Sequence, residues 1–315
     1  MNIRDPRNIE ILSVNISDKK GVVKHAVPEI VLDEKGVQHD AHAGNWHRQI
    51  SLLGQESIDK FSADAGREII PGEFAENITT KGITLYHTSP LDQFVCGDII
   101  LEVTQIGKKC HGDNCSIFRE VGNCVMPKEG IFCKVIQGGS LKAGDVLEYH
   151  PRLYRTMVIT LSDRAFRGEY EDRSGPALVK ELKAFFEAQH WQHKIETHLI
   201  PDDSELLRNL FLMGEGEKFD FIFTTGGTGI GPRDITPEVC RPLLDKEIPG
   251  IMDHIRMKYG QEKPNALVSR ALAGTMTDSL VFCLPGSEKA VKEYFTEISV
   301  SLKHLVHMIH SIDNH

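Results

Sequence analysis

Residues 219–238 read FDFIFTTGGTGIGPRDITPE, and this segment decides the fold of the second half of the chain. Its apolar run is typical of a buried strand, and a glycine-rich turn follows the run directly. Thr236 and Pro237 then predict the start of a helix, with Thr236 as N-cap and Pro237 at the first helical position. The segment therefore predicts a strand, a glycine loop and a helix in succession.

The glycine loop is the first candidate site. Glycines let a backbone approach a ligand closely, and the N–H groups of such a loop can converge on phosphate oxygens. The loop matches neither the P-loop nor the dinucleotide motif, because its last glycine is followed by Pro232 and Arg233. A turn that needs glycine only for tight geometry is the alternative. Arg233 and Asp234 favour a site, since a cation can neutralise phosphate charge and a carboxylate can hold Mg²⁺.

Strands and helices alternate on both sides of this segment. The sequence predicts further strands at residues 156–161, 195–200 and 280–284, the first of them a buried apolar run. Helical spacing predicts helices at residues 204–213, 236–244 and 287–309. The alternation indicates an α/β domain with a mostly parallel sheet over residues 152–315. Because ligands bind outside the carboxyl ends of such strands, we expect the site on the loops after Leu161, Ile200, Thr225 and Leu284.

The other three of these loops carry polar or helix-starting residues. They are Ser162-Asp163-Arg164, Asp202-Asp203 and Pro285-Gly286-Ser287. For Asp203 a helix cap is the favoured interpretation, which leaves Asp202 as the freer carboxylate. Ser287 opens a long helix, whose N-terminus suits an anion.

These motifs, in this order, resemble the molybdenum-cofactor biosynthesis family of Mog and MoaB type. Ile248-Pro249-Gly250 and Ser269-Arg270 extend the similarity over nearly the whole second half. The resemblance implies an adenylyltransferase that moves AMP from ATP onto the terminal phosphate of molybdopterin and releases pyrophosphate. It implies that Asp202 and Asp234 are catalytic, with Mg²⁺ held at Asp234. The residues implied in binding molybdopterin or the nucleotide are Ser162, Asp163, Arg164, Thr225, Gly226, Gly227, Thr228, Gly229, Arg233, Ser269, Arg270, Pro285, Gly286 and Ser287.

The first half, residues 1–151, consists of short apolar runs cut by glycine. This punctuation predicts a mostly β, barrel-like domain with one helix near residues 57–65. Five segments of it resemble the MOSC domain: residues 39–44, 47–52, 71–79, 103–111 and 138–145. The resemblance implies a module that binds molybdenum cofactor or transfers sulfur, with Cys110 as the ligand for metal or sulfur.

Further residues complete the site that the MOSC resemblance implies. They are His42, Arg48, Asn77, Lys108 and Lys128. Lysines beside Cys110 would stabilise its thiolate, which suits either role. The alternative is a structural zinc site of Cys110, Cys115 and Cys124 with His111 or His42, although their spacing differs from the common Cys-x2-Cys pattern.

Composition bounds the class of protein. The chain has 315 residues and a formal charge of −9, without a basic stripe, which argues against nucleic-acid binding. No apolar run approaches the roughly 20 residues of a membrane span, and no secretory signal opens the chain, so a cytoplasmic location is expected. The expected partners are a pterin and a nucleotide. The resemblance further implies a homo-trimer and a molybdoenzyme or cofactor-pathway partner.

Two other functional classes compete with this interpretation. One is a non-enzymatic carrier that holds molybdopterin or the finished cofactor without turnover. Asp202 and Asp234 argue against it, because paired carboxylates repel a polyanion unless Mg²⁺ intervenes. The other is a zinc-dependent regulator, which rests on the cysteine cluster and predicts stoichiometric zinc.

Overall fold

The computed structural model describes residues 7–109 and 124–312. The chain divides into two compact units, and the division falls between Arg152 and Leu153. In the described part of the chain, no helix combines the length and apolar character needed to cross a membrane.

The first unit is built mainly from strands. In the described residues these are β1 (Arg7–Ile16), β2 (His25–Val27), β3 (Ile30–Asp33), β4 (Gly36–Val37), β5 (Ile50–Gly54), β6 (Ile78–Lys81), β7 (Gln93–Cys96), β8 (Ile99–Ile106), β9 (Ile131–Gln137), β10 (Gly139–Leu141) and β11 (Val146–His150). One helix, α1 (Gln55–Ala65), follows β5, and a 3-10 turn spans Leu85–His87. The predicted helix is confirmed.

Seven of these strands close into a barrel, in the order β11, β7, β8, β9, β5, β6 and β1. The ring closes because β1 also pairs with β11, with Ile9 opposite Leu147. Barrels of this size are filled by inward side chains. Those side chains are apolar and fully buried, among them Ile9, Ile50, Leu52, Ile78, Leu101, Val103 and Ile131. The predicted β-barrel is confirmed.

The second unit has a single six-stranded sheet. Its strands are β12 (Leu153–Leu161), β13 (Gln192–Ile200), β14 (Phe221–Thr225), β15 (Lys246–Glu247), β16 (Leu272–Met276) and β17 (Ser279–Leu284). Its helices are α2 (Asp163–Phe166), α3 (Ser174–Ala188), α4 (Ser204–Gly216), α5 (Thr236–Cys240), α6 (Pro249–Gly260) and α7 (Glu288–Ile309), with 3-10 turns at Arg241–Leu243 and Pro264–Val268.

The sheet is mixed, where the sequence predicted a mostly parallel one. Its order is β13, β12, β14, β17, β16 and β15; the first four strands are joined by parallel pairings, and β16 pairs antiparallel with both β17 and β15. The reason lies in the short connection between β16 and β17, where Met276 faces Ser279 across Thr277 and Asp278. A tight turn can join only antiparallel strands, whereas parallel strands need a long crossover.

Both faces of β12, β14 and β17 are largely buried, as is usual for sheets with crossover helices, whereas the edge strand β13 is partly exposed. On one face Phe221 contacts Phe186 of α3, and Phe223 contacts Phe295 of α7. On the other face Ile222 lies in a cluster with side chains of α4. The carboxyl ends of the four parallel strands lie together at one end of the sheet. The loops that follow these ends start from a packed core.

Candidate functional site

Asp163 and Asp202 tie together the loops after β12 and β13. The N–H of Asp163 donates to Oδ2 of Asp202 at 3.2 Å, and the N–H of Asp202 donates to Oδ1 of Asp163 at 3.1 Å. The strand ends beneath them, Leu161 and Ile200, are paired in register. The structure thus brings two of the predicted carboxylates together, although they lie far apart in the sequence.

Arg233 joins this pair from the loop after β14. Its Nε donates to Oδ2 of Asp163 at 3.0 Å, and its Nη2 contacts both carboxylate oxygens of Asp163 at 2.7 and 2.8 Å. A planar guanidinium that meets a carboxylate in this way fixes the orientation of both groups. The three loops after β12, β13 and β14 are therefore linked by polar side chains.

The electrostatics of the two carboxylates differ. Hydrogen bonds from Arg233 lower the pKa of Asp163. Burial raises the pKa of Asp202, and the negative charges of Asp163 and Asp234 raise it further. Asp234 therefore lies close enough to Asp202 for the two to repel. A cation between them would favour the ionised form of Asp202.

Gly226 shapes the start of the glycine loop. Its φ is +100°, and an added Cβ would lie 2.3 Å from the carbonyl oxygen of Leu161. Its N–H donates to the carbonyl of Leu284 at 3.0 Å, so the loop is held between the ends of β12 and β17. Gly286 approaches from the last loop, where an added Cβ would lie 3.0 Å from Cα of Gly226. Only glycine fits this contact.

The three residues after Gly226 in the loop are Gly227, Thr228 and Gly229. Within the described part of the chain, no hydrogen bond uses the N–H of Gly227, Thr228 or Gly229. Thr228 is only 4% exposed, and buried amides are normally paired. Three successive amides in this condition form a cradle suited to an oxyanion.

Asp234 closes the far end of the loop. Its Oδ2 accepts from the N–H of Gly231 at 2.8 Å, and its own N–H donates to the carbonyl of Gly231. An added Cβ on Gly229 would lie 2.6 Å from the same Oδ2. The carboxylate of Asp234 thus packs inside the glycine loop. Position 229 needs glycine because a Cβ there would clash with this carboxylate.

Arg270 holds the loop by its carbonyl groups. Its Nε donates to the carbonyl of Gly229 at 2.5 Å, and its Nη2 donates to the carbonyl of Asp234 at 2.8 Å. Its Nη1 forms an ion pair with Glu238, and its N–H donates to the carbonyl of Thr228. The sequence analysis placed Arg270 among the ligand-binding residues. In the structure its guanidinium is engaged with the loop itself.

The prediction that Thr236 caps the following helix is wrong. Ile235 occupies the cap position of α5, and the hydroxyl of Thr236 donates to the carbonyl of Gly226 at 2.9 Å. The tight turn brings that carbonyl within reach, so the hydroxyl is used to brace the glycine loop. Asp203 does cap its helix, with Oδ1 accepting from the N–H groups of Glu205 and Leu206 at 2.9 Å.

A cavity of about 470 Å³ opens at the ends of β12 and β17. It is lined by three of the predicted residues, Ser162, Gly286 and Ser287, and by Tyr170 and Arg173. Ser287 caps α7 by accepting from the N–H of Ala290 at 3.1 Å. The volume suits a small ligand.

Tyr170 forms one rim of this cavity. Its hydroxyl lies 2.8 Å from Oγ of Ser162, and the guanidinium of Arg164 lies 4.9 Å from its ring centre. Arg164 itself is largely exposed, with its Nε 3.7 Å from Glu169. Of the predicted Ser162-Asp163-Arg164 segment, Ser162 therefore lines the cavity and Arg164 lies outside it on the ring of Tyr170.

Asp172 is a residue that the sequence analysis missed. Its Oδ1 accepts from the N–H groups of Ser174 and Gly175, and its Oδ2 accepts from Thr160 at 2.8 Å. The hydroxyl of Ser174 lies 2.8 Å from the hydroxyl of Thr225. Thr225, a predicted ligand-binding residue, is therefore hydrogen-bonded inside the fold. The Asp-x-Ser-Gly spacing before a helical stretch was the available signal, since it is typical of a capped helix start.

A second cavity, of about 260 Å³, lies beside Ser269 and Arg270. Arg241, Arg256 and Met252 are also among its lining residues. Oγ of Ser269 accepts from the N–H of Ala271 at 3.3 Å. The predicted residues of the second unit thus divide mainly between two cavities, the glycine loop and the Asp163–Asp202 pair, while Arg164 lies outside all four.

In the first unit, the side chain of Asn77 is buried and hydrogen-bonded to neighbouring segments of the barrel. It is 1% exposed, its Oδ1 accepts from the N–H and hydroxyl of Ser51, and its Nδ2 donates to the carbonyl of Asn15 at 3.2 Å. These contacts connect the barrel strands β1, β5 and β6. The amide is therefore occupied by the fold.

The remaining predicted residues of the first unit occupy different places. Arg48 and Lys108 both lie over the ring of Phe132, at 5.9 and 5.8 Å from its centre. Nδ1 of His42 lies 3.4 Å from Asp40. The backbone N–H of Lys108 donates to the carbonyl of Pro127, which places the exposed Lys128 near Lys108 in space. Cys110, His111 and Cys115 lie outside the described residues, and so does the zinc site that would include them.

Comparisons with known proteins agree with both units. Residues 157–304 match the family model described as "Probable molybdopterin binding domain", and residues 39–148 match the MOSC domain. The molybdopterin adenylyltransferase of Pyrococcus furiosus is 40% identical over 162 residues, which cover 50% of this chain and 91% of that protein. The molybdopterin adenylyltransferase of Helicobacter pylori strain J99 is 34% identical over 155 residues, covering 48% of this chain and 85% of that protein.

Larger relatives share the same segment. The molybdenum cofactor synthesis protein cinnamon of Drosophila melanogaster is 38% identical over 153 residues, and the chain spans only 25% of its length. Among solved structures, the tungsten cofactor synthesizing protein MoaB from Pyrococcus furiosus is 34% identical and covers 50% of this chain and 98% of its own, with a TM-score of 0.45. The chain therefore belongs to the molybdenum cofactor biosynthesis family of Mog and MoaB type, and its first unit carries a MOSC domain.

Proposed function

We propose that the second unit transfers an adenylyl group from ATP to the terminal phosphate of molybdopterin and releases pyrophosphate. The observation that carries the proposal is the row of amides from Gly227 to Gly229, which make no hydrogen bond within the described residues and adjoin the carboxylate of Asp234. Nucleotidyl transfer depends on alignment and charge neutralisation, and it needs no covalent nucleophile from the protein. The names of the relatives from Pyrococcus furiosus and Helicobacter pylori support the same reaction.

Asp202 and Asp234 are the carboxylates proposed to hold Mg²⁺. Among the described residues, no group of three or more His, Cys, Asp or Glu side chains is placed to hold a metal. Mg²⁺ is usually held by one or two carboxylates together with substrate phosphates and water, so Asp202 and Asp234 are sufficient. Burial, with a lesser contribution from the charges of Asp163 and Asp234, raises the pKa of Asp202, and a bound cation would offset both effects. Bound Mg²⁺ would supply charge neutralisation for the transferred phosphate.

Each protein group then has a defined task. The amides of Gly227, Thr228 and Gly229 bind phosphate oxygens, and Arg270 keeps the carbonyls of this loop turned towards itself. Arg233 fixes the carboxylate of Asp163, and Asp163 in turn orients Asp202 through two hydrogen bonds, each from a backbone N–H to the other residue's carboxylate. The cavity of about 470 Å³ at Ser162 and Ser287 offers space for one of the two substrates.

The direct test is an assay with purified protein, molybdopterin, Mg²⁺ and ATP. Pyrophosphate and an adenylylated pterin should form, and Asp202→Asn or Asp234→Asn should each lower the rate about a hundredfold or more. Asp203→Asn is the matched control, because asparagine caps a helix as well as aspartate does. Binding of molybdopterin without release of pyrophosphate would instead support the carrier function.

For the first unit we propose binding of the molybdenum cofactor, or of sulfur destined for it. The match to the MOSC domain over residues 39–148 supports this role. Among the described residues of the predicted site, the basic side chains Arg48 and Lys108 beside Phe132 support the proposal. Cofactor content and persulfide content of the purified protein, measured with and without Cys110→Ala, distinguish the two roles.

A further inference from the structure

The reaction proposed above leaves the cavity of about 260 Å³ in the second unit without a ligand. Three arginines line this cavity: Arg241, Arg256 and Arg270. Glu247 is the one carboxylate among its lining residues, and the others are uncharged. A cavity of this size can hold a small anion together with a few water molecules. The excess of arginine over carboxylate favours an anion as the ligand.

Arg241 and Arg270 approach one another at Glu238. Nη1 of Arg270 forms an ion pair with Glu238. Hydrogen bonding to Glu247 raises the pKa of Arg241, and the charge of Glu238 raises it further, so Glu238 lies near both guanidinium groups. The two arginines therefore reach the cavity from neighbouring positions.

Arg256 reaches the same cavity from α6. Its Nη1 donates to the carbonyls of Ser269 and Ala271, at 3.3 and 3.1 Å. These two residues flank Arg270 in the chain. Nη2 of Arg256 donates to the exposed Asp253 at 2.6 Å. Arg256 is thus fixed against the backbone segment that carries Arg270, and the guanidinium groups of all three arginines border one concave surface.

Donors remain for a ligand after these contacts. No hydrogen bond within the described residues uses Nη1 of Arg241 or Nε of Arg256. Glu238 and Asp253, which pair with two of the arginines, are exposed, and ion pairs of this kind are weak enough for an anion to compete with them. The start of α6 at Pro249 adds partial positive charge, because it carries no capping side chain and no acidic residue in its first turn.

We propose that this cavity binds a small phosphate-class oxyanion, orthophosphate or pyrophosphate, through Arg241, Arg256 and Arg270. Planar guanidinium groups match the geometry of phosphate oxygens and form charge-assisted hydrogen bonds with them. The site is separate from the glycine cradle, because Arg270 contacts the carbonyls of that loop whereas the cradle consists of amides. It goes beyond the adenylyl transfer proposed above, since it needs neither Asp202 nor Mg²⁺.

Calorimetric titration of the full chain with orthophosphate and with pyrophosphate tests the proposal. At least one of these anions should bind in a saturable way, and chloride at equal ionic strength should not. Arg241→Gln should weaken this binding about tenfold, the loss expected for one charge-assisted hydrogen bond. Glu247→Gln should tighten it about threefold, because the variant removes the carboxylate that competes for Arg241.

Lys183→Gln is the matched control, since it removes an exposed positive charge from α3 and Lys183 does not line the cavity. It should change the affinity less than twofold. Among the described residues, Arg241 and Glu247 pair with each other and make no hydrogen bond to the glycine loop, so anion binding at the cradle is common to all variants.

The opposite effects of Arg241→Gln and Glu247→Gln are the signature of the site. Loss of packing would not produce them, because both side chains are exposed. Absence of saturable binding for both anions, or wild-type affinity in both variants, would overturn the proposal. The titration requires no turnover, so its outcome is independent of whether the second unit adenylylates molybdopterin.

Discussion

Arg233 contacts both carboxylate oxygens of Asp163, with distances of 2.7, 2.8 and 3.0 Å. Asp163 in turn exchanges backbone hydrogen bonds with Asp202. Arg233, on the loop after β14, is therefore connected through Asp163 to Asp202, although these two carboxylates lie on two other loops. The consequence is that charge changes at Arg233 should reach Asp202 without any direct contact between them.

Arg233→Gln should lower the rate of adenylylation about tenfold or more, because misplacement of catalytic groups is costly even at small distances. Asp163 loses the partner that fixes its carboxylate, and the negative charge of Asp163 then acts on Asp202 without the compensating charge of Arg233. Pyrophosphate release measures the effect. Arg167→Gln removes an equally exposed arginine that is paired with Glu169, and it should change the rate less than twofold. Equal losses in both variants would contradict the link.

Gly226→Ala should destabilise the fold by about 2 to 4 kcal/mol, since a positive φ is strained for alanine and the added Cβ meets a backbone oxygen. Urea unfolding followed by circular dichroism gives the free energy of unfolding. Gly216→Ala is the control, because Gly216 ends α4 and has open space around it. That variant should be neutral or stabilised by up to about 1 kcal/mol.

Arg270→Gln should reduce kcat/KM about tenfold or more, because the carbonyls of Gly229 and Asp234 lose the group that orients them. The measurement is steady-state adenylylation at fixed Mg²⁺. Arg241→Gln removes a neighbour from the same cavity, where the guanidinium is paired with Glu247. If both variants lose activity alike, the cavity rather than the loop carries the effect.

His307 should make stability depend on pH. Burial lowers its pKa to about 4, against an ordinary value of 6.5. The unfolded chain therefore binds a proton between these values and the folded chain does not, so stability is lost as the pH falls from about 6.5 to 4. The loss should approach about 3 kcal/mol at most.

His307→Gln should flatten this dependence, which unfolding at pH 7 and pH 4.5 would reveal. His304 is exposed on the same helix, and His304→Gln should leave the slope unchanged. A slope that survives in the His307 variant would assign the pH dependence to other groups.

Much of the second unit follows from local sequence. The strands that end at Leu161, Thr225 and Leu284 contain continuous apolar runs, whereas the strand that ends at Ile200 mixes polar and apolar residues. The cap at Asp203 follows from its position before a helical stretch. Strand β16 was missed because its sequence, Leu-Ala-Gly-Thr-Met, lacks both a branched apolar run and regular alternation. Its pairing with β17 is what makes the sheet mixed.

The site was predictable as a set of loops, and the pairing within it was not. Arg233 reads locally as a phosphate ligand, and only the fold places it on Asp163, far away in the chain. The same holds for Arg270 and the glycine loop. The contacts of long, flexible side chains depend on which groups the fold brings near them. The spacing of residues in the sequence does not predict these contacts.

Strand β17 lies in the interior of its sheet although it is the last strand of the chain. The amide of Gly226 is anchored to Leu284 of that strand. During synthesis the glycine segment leaves the ribosome well before its anchor does, and non-local pairing of this kind forms late. A nascent chain therefore carries the complete motif for some time before it can possess a binding cradle.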